Sequence, residues 1–204
     1  MGLQKIIYGL AGRVWVPPRL RSSEQPVLLH LTDTPSTFFP ALGRLLDQLK
    51  PRWIVHTGDL VDDVKLGMNP AYLNDYAARV RGLVHTLEAS SAEEIWLCLG
   101  NHDDAGAVRG FADRCRLVET AALLELEGLT VGVAHYGADA LATGAALCLF
   151  GHSLDLRTDL QATPRRLNGL EGIHVITPRS GAVTQLAYPT GTDDRRLGRK
   201  KIGM

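Results

Sequence analysis

The amino-acid sequence predicts an α/β domain built on a parallel sheet. Three observations predict it. Between residues 27 and 103, short apolar runs alternate with stretches whose apolar residues recur every three to four positions. Polar residues of similar type recur just past the end of each run. The second half then holds several more short apolar runs. The chain has 204 residues, of which 45% are hydrophobic and 22% charged. That suits one domain with a full core and leaves no room for two ordinary ones.

The first strand is Val27–Thr32, an apolar run that ends at Asp33; such runs suit a strand buried on both faces. Phe39, Leu42, Leu45, Leu46 and Leu49 have helical spacing, and Lys50-Pro51 closes that helix. Trp53–Thr57 is the second strand, followed by Gly58-Asp59. Asn69 and Pro70 read as an N-cap and first helical position. The helix behind them places Leu73, Tyr76, Ala77, Val80, Leu83, Val84 and Leu87 on one face. Glu94–Leu99 is the third strand and runs into Gly100-Asn101-His102-Asp103. Strand, helix, strand, helix, strand implies parallel pairing. Beyond it, Leu123–Leu126 and Leu129–Ala134 flank Glu127-Gly128 and read as a hairpin; further strand-like runs are Ala146–Phe150, Ile173–Ile176 and Val183–Ala187.

Composition removes several classes. No apolar run approaches the roughly 20 residues of a membrane span. Cys98, Cys115 and Cys148 form no metal-spaced pair, and an odd count argues against a disulfide framework. Three reduced thiols in a cytoplasmic protein is the expected reading. The net charge is zero, with 22 basic and 22 acidic residues, but it is unevenly spread. Residues 1–26 carry Lys5, Arg13, Arg19 and Arg21 against Glu24, and end in a Pro/Ser-rich patch. They read as an arm outside the main fold. Residues 193–204 form a basic tail with Arg195, Arg196, Arg199, Lys200 and Lys201. The domain proper is expected over 27–192, with an acidic balance. That balance, and an aromatic content of only 6%, argue against a nucleic-acid partner.

Asp33, Asp59, Asn101, His102, Asp103, His135 and His152 all lie just past strand ends. In open α/β sheets that edge binds ligands. Carboxylates, an amide oxygen and imidazoles gathered there suit a divalent transition metal. His30 and His56, inside the strands, are expected to be buried structural histidines.

The ordered set Asp33-Thr34-Pro35, Gly58-Asp59-Leu60-Val61-Asp62, Gly100-Asn101-His102-Asp103, His135 and Gly151-His152-Ser153-Leu154 resembles the calcineurin-like metallophosphoesterases. The resemblance spans about 27 to 185. It implies a four-layer α-β-β-α sandwich, two stacked mixed sheets flanked by helices, with a dimetal site at one edge. It departs at two places: Pro35 and Leu154 stand where that family has histidines. Both losses fall on one metal site, which keeps only Asp33 and Asp59. The other site, through Asp59, Asn101, His135 and His152, is complete. Neither Pro nor Leu can donate to a metal.

The resemblance implies a divalent-metal-dependent phosphoesterase that uses metal-activated water on a phosphate-ester substrate. His102 is expected at the leaving oxygen as general acid or electrostatic stabiliser, with Asp103 orienting it. Asp62 is expected to support the loop beside the metal. One tightly held ion is expected, Mn²⁺ before Fe, Zn²⁺ or Mg²⁺, with a second ion weak or absent. No stretch after His102 is long enough for a cap domain, so the site should be open. The alternative is a scaffold on the same fold, with an exposed apolar surface for a partner; a nuclease is less favoured.

Overall fold

A computed structural model describes residues 2–196. The chain starts with α1 (Gly2–Leu10) and α2 (Pro18–Arg21), then runs through β1 (Leu28–Leu31), α3 (Phe39–Leu49), β2 (Trp53–His56), α4 (Leu73–Glu88), β3 (Glu94–Cys98) and α5 (Ala105–Arg109). It continues with β4 (Cys115–Val118), β5 (Ala121–Leu126), β6 (Leu129–Ala134), α6 (Gly137–Ala142), β7 (Leu147–Phe150) and β8 (Arg165–Asn168). The last elements are β9 (Ile173–Thr177), β10 (Ala182–Leu186) and α7 (Thr192–Arg196).

The strands make two sheets. The first has the order β10-β9-β1-β2-β3-β4, with β1 to β4 parallel and β9 and β10 antiparallel at one side. The second has the order β5-β6-β7-β8, with the β5–β6 hairpin antiparallel and the rest parallel. Glu127 and Gly128 join the hairpin with φ of 48° and 85°, the two positive values that a tight hairpin turn needs.

Period-two alternation in the strands feeds two separate cores. Leu28, Trp53, Val55, Trp96 and Cys98 meet Val131, Val133, Leu147 and Leu149 between the sheets. Their neighbours Leu29, Leu31, Ile54, Ile95 and Leu97 instead pack on Leu42, Leu45 and Leu46 of α3 and Val80, Leu83 and Leu87 of α4. On the far side, Ala140 of α6 packs on Ala134, Cys148 and Phe150. The result is the four-layer α-β-β-α sandwich. Asn69 caps the entry to α4 by accepting the Ala71 N–H at 3.1 Å, although the first turn is a 3₁₀ turn and α4 begins at Leu73.

Three expectations change. Residues 1–26 do not lie wholly outside the fold. Val14 and Val16 are buried in the same core as α3 and α4, and the Thr190 N–H donates to the Gly9 carbonyl at 3.1 Å. Two valines beside a Pro-rich patch are too few to show a helical or strand period. Second, β4 and β8 escape a sequence reading. Both are edge strands, so half their surface is wet, and Arg116, Arg165 and Arg166 interrupt any apolar run. Third, the start of the basic tail is ordered: Arg196 ends α7 and is only 2% exposed. Arg199, Lys200 and Lys201 lie outside the described residues. Among the described residues, no helix is long and apolar enough to cross a membrane.

Candidate metal centre

The site sits past the C-terminal ends of β1, β2, β3, β6 and β7. Asp33 and Asp59 follow β1 and β2, and both take positive φ, 47° and 51°. Non-glycine residues rarely adopt that conformation, at a cost of roughly 1–3 kcal/mol each. Two crossed loops hold it. The Asp33 N–H donates to the Gly58 carbonyl at 2.9 Å, Thr34 N–H to the Asp59 carbonyl at 3.1 Å, and Asp62 N–H to the Thr34 carbonyl at 3.1 Å. Gly58, at φ 99°, has no room for a side chain, because a Cβ would overlap His135 Nδ1.

Asp103 pins the β3 loop to the β2 loop. Its Oδ1 accepts the Leu60 N–H and the Tyr76 hydroxyl, each at 2.8 Å, and its Oδ2 accepts the Gly100 N–H at 2.7 Å. That corrects the expected role. Its hydrogen bonds among the described residues all go to these three groups rather than to His102, so Asp103 positions loops. Burial, then the charge of Asp59, raises its carboxyl to about 6. His102 Nδ1 accepts the Gly67 N–H at 3.2 Å.

Asp59, His135 and His152 bring one ligand atom each to within 4.8 Å of one another. His135 is oriented by its Nδ1, 2.8 Å from the Thr57 carbonyl. A carbonyl can only accept, so Nδ1 carries a proton, and the Nε2 lone pair of that tautomer points toward the site. That lone pair faces Asn101 Oδ1 at 3.1 Å and Asp59 Oδ1 at 3.7 Å. Asp59 Oδ1 also accepts the His102 N–H at 3.0 Å. Asp59 Oδ2 is buried with no hydrogen-bond partner among the described residues and lies 3.8 Å from His152 Nδ1. A buried, orphaned carboxylate oxygen is costly. A carboxylate, an amide oxygen and two imidazoles gathered this closely fit a divalent cation, so the donor set of Asp59, Asn101, His135 and His152 suits the expected metal.

Burial pushes the Asp59 carboxyl up, but the neighbouring His152 and His135 rings and the His102 amide outweigh it, and Asp59 ends below the usual range. The Asp59 carboxylate, 3.8 Å away, raises His152 in turn. A second group, Asp59, Asp62 and His102, is equally close together. There the donors are committed: Asp62 pairs with Lys65, and His102 Nδ1 with Gly67. Asp62 therefore stands beside the candidate metal ligands, with its carboxylate engaged by Lys65.

The other metal position is different. Asp33 Oδ2 accepts the Thr32 hydroxyl at 2.5 Å. Burial, then the charge of Asp59, raises the Asp33 carboxyl to about 7. Pro35 precedes the 3₁₀ turn Ser36–Phe38 with φ −70° and ψ 149°. Leu154 is 76% exposed, so it does not pack over the gap as a dry substitute for an imidazole. Instead Asp33, Asp59, His152 and Leu154 share a cavity of about 290 Å³ with Lys65 and Arg196. His30 and His56 are fully buried, as expected. His30 Nδ1 lies 3.1 Å from His174 Nδ1, and His56 Nε2 lies 3.0 Å from the Thr34 hydroxyl.

Several contributors escaped the sequence reading: the Thr57 carbonyl, the Gly67 amide, Tyr136, Lys65 and Arg196. Tyr136 stacks edge-on against both His135 and His152, with centroids 4.8 and 5.6 Å away. Lys65, three residues after Asp62, carried a usable signal. Backbone groups carry none.

A sequence model described as calcineurin-like phosphoesterase matches residues 26–177. A cAMP/cGMP dual specificity phosphodiesterase of Mycobacterium tuberculosis is 37% identical over 113 residues, covering 46% of this chain and 33% of its own. The chain thus spans about a third of that relative's length. A metallophosphoesterase from Sphaerobacter thermophilus superposes with a TM-score of 0.49 at 12% identity, over 87% of this chain and 96% of that one. A phosphoesterase from E. coli superposes with a TM-score of 0.47 at 12% identity, over 80% and 100%.

Proposed function

We propose that this chain, which belongs to the calcineurin-like phosphoesterase family, is a phosphodiesterase that works with one tightly held divalent ion. That it is a metal-dependent phosphoesterase, and so a hydrolase, follows from the family and the phosphodiesterase relative. The single ion is carried by one observation. His135 faces Asp59 Oδ1 with Asn101 beside it, and His152 faces the partnerless Oδ2, while Pro35 and Leu154 stand at the two positions where an imidazole would join Asp33. Mn²⁺ is the ion we expect.

A bound divalent ion supplies Lewis acidity, lowering the pKa of a water and neutralising phosphoryl oxygens. The chain's own residues do the rest. His102 is nearly buried and its Nδ1 is occupied by the Gly67 N–H, which places the neutral ring's proton on Nε2. Burial holds its pKa below the ordinary value. A neutral imidazole with a free Nε2–H acts as a hydrogen-bond donor to the leaving oxygen, and this favours the stabiliser role over full proton transfer. Asp103 and Tyr76 keep the two metal-bearing loops in register.

His152 and Leu154 stand exposed at the cavity, and an open mouth suits diesters. The name of the M. tuberculosis relative makes cyclic nucleotides the first substrates to try. The three free thiols fit a reducing, cytoplasmic setting. One feature favours the scaffold reading: α1 presents Leu3, Ile6, Ile7 and Leu10 to solvent.

The test is hydrolysis of bis(p-nitrophenyl) phosphate and of cAMP with Mn²⁺, alongside metal content per chain. One equivalent and metal-dependent turnover are expected, with His102→Ala lowering kcat by about 10²–10³ at unchanged metal content. No turnover with any divalent ion would sink the enzyme reading. Full activity in His102→Ala would sink that residue's role.

A further inference from the structure

Two cationic side chains line the cavity where the second ion lacks ligands. Lys65 pairs with Asp62 and donates to the Arg196 carbonyl at 3.1 Å. An ammonium has three N–H donors, so one stays uncommitted, and the Lys65 side chain is 29% exposed while Asp62 is buried. Arg196 is held rigidly. Its Nε donates to Asp193 Oδ1 at 2.8 Å, its Nη2 donates to the Leu170 carbonyl, and its guanidinium lies 4.2 Å from the centroid of Tyr188. The Tyr188 hydroxyl in turn accepts the Thr32 N–H at 3.2 Å, one residue before Asp33. Arg196 Nη1 is buried with no partner among the described residues. Asp193, whose side chain is 61% exposed, supplies one counter-charge at 2.8 Å; a guanidinium buried this deeply calls for a second negative group on its inner face. On the other side of the same cavity, Asp33 is a buried carboxylate whose described side-chain hydrogen bond comes from a neutral hydroxyl.

We infer that Lys65 and Arg196 form a fixed cationic pair that takes the place of a second metal ion. Arg196 balances Asp33, and the Lys65 ammonium binds an oxygen of the phosphate ester. The division of labour follows from exposure. The planar guanidinium is buried, stacked and immobile, which suits a counter-charge. The ammonium stands at the cavity wall as a compact point charge, which suits a phosphate oxygen. Asp62, beside the metal ligands, then serves to aim Lys65. This inference rests on the phosphoesterase reading for the identity of the ligand.

The test uses the full chain, saturated with Mn²⁺ and then dialysed. Metal equivalents are counted by atomic emission, and inorganic phosphate is titrated in by calorimetry. The wild type should hold one equivalent and bind phosphate. Lys65→Met should weaken phosphate by about ten- to a hundredfold, the loss of a charge-assisted hydrogen bond, at unchanged metal content. Arg196→Gln, which keeps a donor for the Leu170 carbonyl but loses the charge, should retain a second equivalent. Two equivalents in the wild type, or phosphate affinity within twofold in Lys65→Met, would overturn the inference. Lys65→Met decides the matter even if Arg196→Gln does not fold, because Lys65 is only partly buried. The two readings fail separately. A wild type without diester turnover whose phosphate and metal binding respond as stated loses the hydrolase and keeps the pair. Normal turnover with unchanged phosphate binding in Lys65→Met does the reverse.

Discussion

Asp59→Asn should separate the cost of this site from its use. Asn adopts positive φ as readily as Asp, so the strained backbone at 51° is not the variable. The Asn Oδ1 still accepts the His102 N–H, now 3.0 Å away. What disappears is one buried negative charge. Asp33 is raised from 3.8 to about 7, with burial first and Asp59 second among the causes. A folded-state pKa above the unfolded value means that ionising Asp33 at pH 7 costs stability, on the order of 4 kcal/mol for three pKa units. Removing Asp59 relieves part of that cost, and it also relieves Asp103. Against that relief stands the loss of the His152, His135 and His102 interactions that hold Asp59 below the usual carboxylate range, so without metal Asp59→Asn should melt close to the wild-type temperature. With Mn²⁺ at about a hundred times its Kd, the wild type should gain about 2.7 kcal/mol. For a chain of this size that is a rise of roughly 5–10 °C, and the variant should gain almost nothing. Thermal melts in EDTA and in excess Mn²⁺ read both halves. A variant clearly less stable than wild type in EDTA, or one with the same Mn²⁺-dependent rise, would refute the reasoning.

Tyr76→Phe removes the hydroxyl from Asp103 while the Leu60 and Gly100 amides keep theirs; a loss of about 1 kcal/mol is expected, read as a Tm lowered by roughly 2–4 °C, and an unchanged Tm would deny Asp103 its pinning role. Gly58→Ala places a Cβ against His135 Nδ1 at a backbone φ of 99°; it should cost more than about 2 kcal/mol and weaken Mn²⁺ binding, which calorimetry would show. Burial lowers His174 to about 4, below its unfolded value, so the unfolded chain binds the extra proton and stability is lost as pH falls from about 6.5 toward 4. His174→Leu should remove about 2 kcal/mol of the loss between pH 7 and 5; urea melts of both proteins at the two pH values give the difference, and identical pH slopes would contradict the burial argument.

Much of this protein is legible in the chain because its signals are local. Leu42, Leu45, Leu46 and Leu49 announce α3, and Glu127-Gly128 announces the hairpin turn. The candidate metal ligands could be proposed because each follows a strand end, where neighbouring parallel strands deliver them to one edge. The missing imidazoles at 35 and 154 were equally plain. Edge strands β4 and β8 were not legible, because a half-wet strand of four residues has no apolar period to show.

Tertiary structure alone decided the rest, for one physical reason: charge balance and hydrogen bonding at the site run between segments far apart in sequence. Asp103 looks like a partner for the histidine beside it, yet its carboxylate is used by Leu60, Tyr76 and Gly100. Arg196 reads as a solvated tail residue, yet it is buried over Tyr188 in the cavity of Asp33. Sequence names the side chains that can carry a charge. Only the fold shows which opposite charge each one meets, and whether water is there to weaken the meeting.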